Sequence, residues 1–412
     1  MSIALGCVLS DPYLDSHQTA SQRQLAISIQ IEEEQPLGHA PLNLGLILDH
    51  SGSMNGRPLA TVKEAAGQLV EQLATDDLLS IVVFDHRAKV LLPLQSLNDR
   101  NTIKHRIATL KPSGGTAIDE GMKLGIEEVA PGKQGKVSQI FLLTDGENEH
   151  GDNERCLKLA TLAAEYSLTL NALGFGDHWN QDVLEKIADA GNGVLSYIEA
   201  PEAAVATFNQ LLKRAQSVFF TNAYLHLTLL PGVRLAELKP IAQVAPETVE
   251  LPHIQEGNEV IVRLGDLMRD TPRVVLTNLY IGAQGDGTFP IVKAHVQYDA
   301  PASDAMGLQS DAVTVSATAQ AIHQPVLDQH VQKHVLTLAK YRQTQIAEQK
   351  LAAGDRQSAA TMLQSAAQTA LQMGDEGAAT VLQENATRLQ TGQTLSERDR
   401  KRTRIVSKTI LQ

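Results

Sequence analysis

The stretch LNLGLILD at residues 42–49 runs apolar to its last residue, with no alternation of polar side chains. A strand of that kind is buried on both faces, and a sheet covered on both faces is built from parallel strands with helices above and below. The segment from 42 to 216 repeats the pattern. Arg57 to Ala74 keeps apolar residues at helical spacing, with Pro58 tolerated in the first turn. LLSIVVFD (78–85), AKVLLPL (88–94), VSQIFLLTD (137–145), LTLNALGFG (168–176) and GVLSYIE read as further strands, and helices are predicted near 99–110, 116–129, 154–166, 180–190 and 202–215. The spacing predicts a doubly wound, Rossmann-like α/β domain.

From about Ser217 the period changes to two. AYLHLTLLPGVRLAEL, NEVIVRLGDL, RVVLTNLYIGA, PIVKAHVQY and DAVTVSATA are separated by Gly, Pro and Asp turns at strand spacing, which predicts an all-β sandwich. Residues 3–33, including QLAISIQIEEE, also read as strands but precede the first α/β strand and have no partners of their own. They complete the same sandwich if the α/β domain is inserted in it. Beyond Pro325 the chain turns Ala-, Gln- and Leu-rich with helical spacing, broken at AGDRQ and GDEG. A helical bundle docked on the sandwich is expected, and the repeated breaks only weakly match helical-hairpin repeats. The expected order is N-terminal sandwich strands (1–38), the α/β domain (39–216), the remaining sandwich (217–322), a helical region (323–390) and a basic tail (391–412). In that tail, SERDRKRTRIVSKTILQ, Thr403, Ser407 and Thr409 lie among basic residues. It is expected to be loose and solvated, and a kinase or phosphopeptide-binding partner would find its site there.

Charge and cysteine content narrow the function. A formal net charge of −12 argues against a general nucleic-acid binder, which needs basic surface to neutralise phosphate. Cys7 and Cys156 are too few for a disulfide framework and fit a reducing compartment. The small residue before Cys7 resembles a lipoprotein cleavage site, yet no positive charge precedes the apolar stretch, which is short for an export signal. No run approaches the ~20 apolar residues of a membrane helix. A cytoplasmic protein without membrane insertion is expected.

The end of the first α/β strand carries the chemistry. LILDHSGSMNG places Asp49, Ser51 and Ser53 at alternate positions where the chain leaves a buried strand, the crest at which open α/β sheets bind ligands. A carboxylate and two hydroxyls are hard donors, suited to Mg²⁺, Mn²⁺ or Ca²⁺ and poorly suited to zinc or copper. Three such groups do not fill an octahedron. KPSGGTAIDEG brings Thr116 to the mouth of a helix, and IFLLTDGENEH ends a second buried strand on Asp145. His50, between the first donors, should point away from them.

These motifs resemble those of a von Willebrand factor A domain, whose metal-ion-dependent adhesion site is written Asp-x-Ser-x-Ser, then a distant Thr, then a distant Asp. DHSGS, GGT and TDG supply all five: Asp49, Ser51, Ser53, Thr116 and Asp145. The resemblance covers roughly residues 40–216. It implies that Ser51 and Ser53 ligate a divalent cation directly, Thr116 directly or through water, and Asp49 and Asp145 largely through water. It also implies a binding module without chemistry of its own, which takes a partner's Glu or Asp side chain into the cation's remaining position. Gly115 and Glu147 are the expected partner contacts, and Asp119 and Glu149 lie close enough to the crest to tune its charge. A scaffolding, assembly or signalling role in a bacterial-type cell is the corresponding expectation.

Other classes fit less well. A catalytic serine elbow reads Gly-x-Ser-x-Gly, whereas Asp49 and Ser53 occupy the Gly positions here. Neither G-x-x-x-x-G-K-[ST] nor G-x-G-x-x-G occurs, so no phosphate cradle is expected. Magnesium chelatase subunits pair a related domain with an ATPase module that is absent here, which leaves action beside a separate ATPase open. Integrin β subunits insert a related domain in a β-sandwich, an outline similar to the insertion inferred above.

Overall fold

The computed structural model describes residues 2–32, 40–176 and 178–408; the expected boundary at 38/39 and Thr409 lie outside them. The chain opens with β1 (Ser2–Leu9), β2 (Tyr13–Asp15) and β3 (Ala20–Glu32). An α/β unit follows: β4 (Leu42–Asp49), α1 (Arg57–Gln72), β5 (Leu78–Phe84), β6 (Ala88–Ser96), α2 (Arg100–Ala108), α3 (Ile118–Val129), β7 (Val137–Thr144), α4 (Asn153–Glu165), β8 (Thr169–Phe175), α5 (Gln181–Ala190), β9 (Asn192–Ile198) and α6 (Ala204–Gln216). Its sheet runs β6-β5-β4-β7-β8-β9, parallel except for the edge strand β6. The unalternating strands are covered on both sides, as their sequences demand. Leu44, Leu46 and Leu48 of β4 join Val62 and Leu69 of α1 and Phe208 of α6. Ile47 faces the other way, into a core with Met122 of α3, Ala160 of α4 and Leu184 of α5.

Helix α3 lies unusually close to the sheet. Gly121 and Gly125 are one turn apart on its inner face; a Cβ at Gly125 would sit 2.4 Å from Ile47 Cδ1, and one at Gly121 2.7 Å from Phe84 Cδ1. Gly125→Leu should therefore overpack this contact and cost about 1–3 kcal/mol of stability in denaturant unfolding. A neutral result would mean that α3 can move away from β4 freely.

Strands then resume with β10 (Val218–Leu229), β11 (Val233–Leu235), β12 (Ile241–Ala245), β13 (Val249–Glu250), β14 (His253–Glu256), β15 (Glu259–Met268), β16 (Arg273–Gly282), β17 (Gly287–Ala300), β18 (Ala305–Gln309) and β19 (Val313–Gln320). They form two sheets. One runs β1-β3-β16-β12-β13, with β11 also on β16; the other runs β14-β15-β10-β17-β19-β2, with β18 on β17. The N-terminal strands are thus integral to both sheets, β3 antiparallel to β16 and β2 parallel to β19. Leu25, Ile27, Leu225, Val260, Val275 and Val296 fill the space between the sheets. The α/β domain is inserted in this sandwich.

The last part is helical: α7 (Gln329–Ala352), α8 (Arg356–Gln372), α9 (Glu376–Gln390) and α10 (Glu397–Lys408). Helix α7 lays Val331, Leu338 and Tyr341 on the outer face of the first sheet, against Ala26, Val244 and Leu276. The repeated Gly-Asp breaks have a local cause. Gly354 and Gly374 turn the chain at φ of +80° and +78°, and Asp355 and Asp375 then cap α8 and α9 by accepting from Ser358 N and Ala378 N, each at 3.0 Å.

One expectation needs correction. Residues 397–408 are not a loose tail but a packed helix in which Lys401, Thr403, Val406 and Ser407 are buried. Its cations meet carboxylates on α5 and α7, and Val406 enters the helical core. The hydroxyls of Thr403 and Ser407 are enclosed in the folded chain and offer no accessible phosphorylation site.

Candidate functional site

Three crest loops of the α/β sheet meet above β4 and β7. The first leaves Asp49 and makes a 3-10 turn over Gly52–Met54. The second carries Gly114, Gly115 and Thr116 into α3, and the third follows Thr144. Backbone bonds tie them together: Gly52 N donates to Gly114 O (3.0 Å), Ser113 N to His50 O (2.8 Å), and His150 N to Thr116 O (2.9 Å).

The five expected donors are brought together by this arrangement. Ser51 N donates to Asp49 Oδ1 at 2.7 Å, and the Ser51 and Ser53 hydroxyl oxygens are 3.0 Å apart. Ser53 Oγ in turn donates to Asp145 Oδ1 at 2.7 Å. Thr116 closes the group: a Cβ built on Gly146 would lie 3.3 Å from Thr116 Oγ1 and 3.9 Å from Ser53 Oγ. Thr144, which the sequence reading passed over, donates its hydroxyl to Asp49 Oδ2 at 2.6 Å and fixes that carboxylate.

The electrostatics are lopsided. Asp49 is fully buried, and its hydrogen-bond partners are a backbone amide and a hydroxyl rather than a cation. Burial pushes its carboxyl up to about 6, against the pull of the Thr144 and Ser51 hydrogen bonds, with the Asp145 charge adding to the rise. Burial also raises Asp145, offset in part by the Ser53 hydroxyl. Two buried carboxylates and three hydroxyls with no basic side chain bonded to Asp49 form a set that a hard cation would compensate. Among the described residues no three His, Cys, Asp or Glu side chains converge on one point, so the cluster differs from a soft-metal site in its donors.

The group opens into a cleft of about 600 Å³. Ser53, Glu147 and Glu149 are exposed there and Gly115 is half-buried. A Cβ on Gly115 would meet the ring of the exposed His150 side chain at 2.3 Å. His50 points away as expected, with Nδ1 2.9 Å from Lys111 O. Asp119 is not at the rim. It is buried, and Arg155 of α4 donates to it at 2.8 Å.

Sequence reasoning missed the far wall of the cleft, formed by Phe175, Gly176, His178, Glu199 and Pro201. These residues follow β8 and β9, so their signal was position alone: both loops leave the same crest as Asp49 and Asp145.

Comparison with known proteins agrees with this architecture. The model of the von Willebrand factor type A domain matches residues 43–211, and that of the Sll0103-like, C-terminal alpha-helical domain matches residues 329–412. The protein sll0103 of Synechocystis sp. is 56% identical over 412 residues, covering 100% of this chain and 98% of that one. Human inter-alpha-trypsin inhibitor heavy chain H4 is 30% identical over 167 residues, which span 37% of this chain and only 18% of that protein. Among solved structures, a von Willebrand factor type A protein from Catenulispora acidiphila matches with a TM-score of 0.84 at 17% identity, covering 100% of this chain and 97% of that one. The ArnB paralog VWA2 from Sulfolobus acidocaldarius gives 0.61 at 14% identity, covering 99% and 98%. At those identities the likeness establishes the fold alone. The chain belongs to the family of the Synechocystis protein sll0103, in which a von Willebrand factor type A domain is joined to a C-terminal α-helical domain.

Proposed function

We propose that the chain is a metal-dependent protein-recognition module whose crest holds Mg²⁺, or Mn²⁺ or Ca²⁺ in its place, and receives an acidic side chain of a partner protein. The observation that carries this reading is the continuous chain of hard oxygens from Asp49 through Ser51 and Ser53 to Asp145, with Thr116 beside it. Ser51, Ser53 and Thr116 would hold the cation through their hydroxyls, and Asp49 and Asp145 largely through water. A cation so held keeps much of its charge and attracts a carboxylate. The protein's own part is to fix the donors: Thr144 and the Ser51 amide orient Asp49, and the Gly52–Gly114 bond holds two loops in register. Gly115 and Glu147 lie on the cleft where the partner would approach.

A hydrolytic reading has less support, because His50 is turned to the Lys111 carbonyl instead of toward Ser51 or Ser53. Service beside a separate ATPase is compatible with the same cleft. Among the described residues no helix is long and apolar enough to cross a membrane, which says nothing of β-barrels. The cytoplasmic, bacterial setting we infer rests on the cyanobacterial relative and on the free cysteines Cys7 and Cys156.

The test is direct. Full-length protein immobilised in Mn²⁺ should retain a defined set of lysate proteins that EDTA elutes, and Ser51→Ala should lose them while keeping its circular dichroism spectrum. Undiminished EDTA-sensitive retention by Ser51→Ala would overturn the assignment.

A further inference from the structure

Helix α10 is mostly charged, ERDRKRTRIVSK, and such a helix ordinarily floats in solvent. Here it is wedged between domains by two kinds of contact. Toward the helical domain they are the contacts of one fold: Val406 packs in the core with Leu382 and Leu389, and Asn385 Nδ2 donates to Thr403 Oγ1 at 2.8 Å. Toward the α/β domain they are charged. Arg404 pairs with Glu185 (3.2 Å) and with Asp182 on α5, while its Nε donates to Glu348 of α7 at 2.6 Å. Lys408 reaches Glu185 (2.7 Å) and Asp189 (3.0 Å). Arg398 pairs with Glu199. Lys401, fully buried, holds its ammonium 4.0 Å above the Trp179 ring and 5.6 Å from that of Tyr197. A helix whose apolar side chain packs in one domain and which meets the other through ions and a cation over an aromatic ring makes a polar, separable interdomain contact.

The place where it lands matters. Glu199 lines the cleft, and Trp179 adjoins the cleft residue His178. The indole braces the cleft wall: Trp179 Nε1 donates to Gly176 O at 2.7 Å, and its ring stands 2.1 Å from where a Cβ on Gly174 would be. The two turns that form the far wall are therefore the two that α10 grips.

We infer that α10 is a latch on that wall. Seated, it holds the turns after β8 and β9 in place; unseated, it frees them, and a cation or partner entering the cleft must then also order them and binds more weakly. Linkage makes the effect reciprocal, so occupancy of the cleft favours the seated helix and reports to the helical domain. The order of the wall stands on the contacts above, whereas its consequence for cation binding rests on the metal reading of the crest.

The test uses the full-length chain and three proteins: wild type, Arg404→Glu, and Arg404→Glu combined with Glu185→Arg. Trp179 is the chain's single tryptophan, so its emission reports the seat. Arg404→Glu should red-shift that emission and raise amide hydrogen exchange about tenfold in the turns around His178 and Glu199, with β4 unchanged. It should also weaken Mn²⁺ binding in calorimetry by threefold or more, and the charge swap should reverse part of each effect, since a carboxylate at position 404 still faces Asp182 and Glu348. If Arg404→Glu fails to fold, wild type at 0.05 M and 1 M KCl supplies the comparison, since salt screens the same pairs. Faster exchange in α10 with unchanged exchange in the wall, under either perturbation, would overturn the latch. A wild type that takes up no Mn²⁺ overturns the metal reading alone, because exchange at the wall is measured without any cation.

Discussion

Asp49→Asn should abolish cation-dependent stabilisation while leaving the metal-free protein as stable as wild type or more so. A ligand at a hundred times its Kd stabilises the folded state by about 2.7 kcal/mol, so wild type in excess Mn²⁺ should gain that much over wild type in EDTA. The amide removes the charge the cation is held by and fits the existing bonds. Its oxygen can still accept from Ser51 N, while its nitrogen donates to Thr144, whose hydroxyl can turn to Gly146 O, now 3.4 Å away. Burial drives the opposite sign in the metal-free state. A carboxyl whose folded pKa lies near 6, above its unfolded value, holds its proton more tightly when folded. Its contribution is favourable at low pH and is lost as pH rises from the ordinary carboxylate range through about 6. At pH 7.5 wild type therefore carries the cost of a buried charge, on the order of 1–3 kcal/mol, which the amide avoids. Denaturant unfolding of both proteins with EDTA and with Mn²⁺ measures all four states. Equal Mn²⁺ increments in the two would sink the site.

Much of this site was legible because its parts are local. LNLGLILD announces a doubly covered strand, and strand ends in a parallel sheet point to a common crest, so Asp49, Ser51, Ser53 and Asp145 could be placed before any coordinates. The sandwich was legible for a related reason. Period-two patterning survives interruption by an inserted domain, and strands without local partners must find distant ones, as β3 does on β16.

What escaped was set by long-range pairing. The composition of α10 reads as solvated because a sequence window does not show the acids opposite: Glu185 lies 219 residues away from Arg404, which it meets. The same blindness covers His178 and Glu199, which carry no motif and enter the cleft only because β8 and β9 bring their loops there. Asp119 erred in the other direction. Its proximity in sequence to Thr116 suggested the rim, but one helical turn carries it to the α3–α4 interface and Arg155.

The largest loss of stability should come from the opposite end of the α/β sheet. Asp266 of β15 is enclosed between the two domains, where its Oδ2 accepts from Gln139 Nε2 of β7 at 2.6 Å and from Thr169 Oγ1 of β8 at 2.7 Å. Beside it Arg273 of β16 donates to Leu264 O and to Asp266 O, and burial pushes its guanidinium down to about 10, with Arg214 adding to the fall and Asp266 opposing it. Asp266→Ala leaves two α/β donors without an acceptor and removes one of the two acids, with Glu247, whose charge favours the Arg273 cation. Each buried donor left without a partner costs about 1–3 kcal/mol, so the two together set the scale of the loss. Asp266→Asn, with its amide oxygen at the Oδ2 position, keeps an acceptor for both donors and should lose less than half as much. The two domains should also respond unequally. Exchange should rise along the β7 and β8 ends that face β15 and remain slow at the centre of β4, whose cover comes from its own helices. A cost below about 1 kcal/mol would mean that water replaces the Asp266 carboxylate at Gln139 and Thr169. The opposite result fixes the α/β domain at its base, which leaves the crest free to bind and α10 as the contact through which the crest answers to the helical domain.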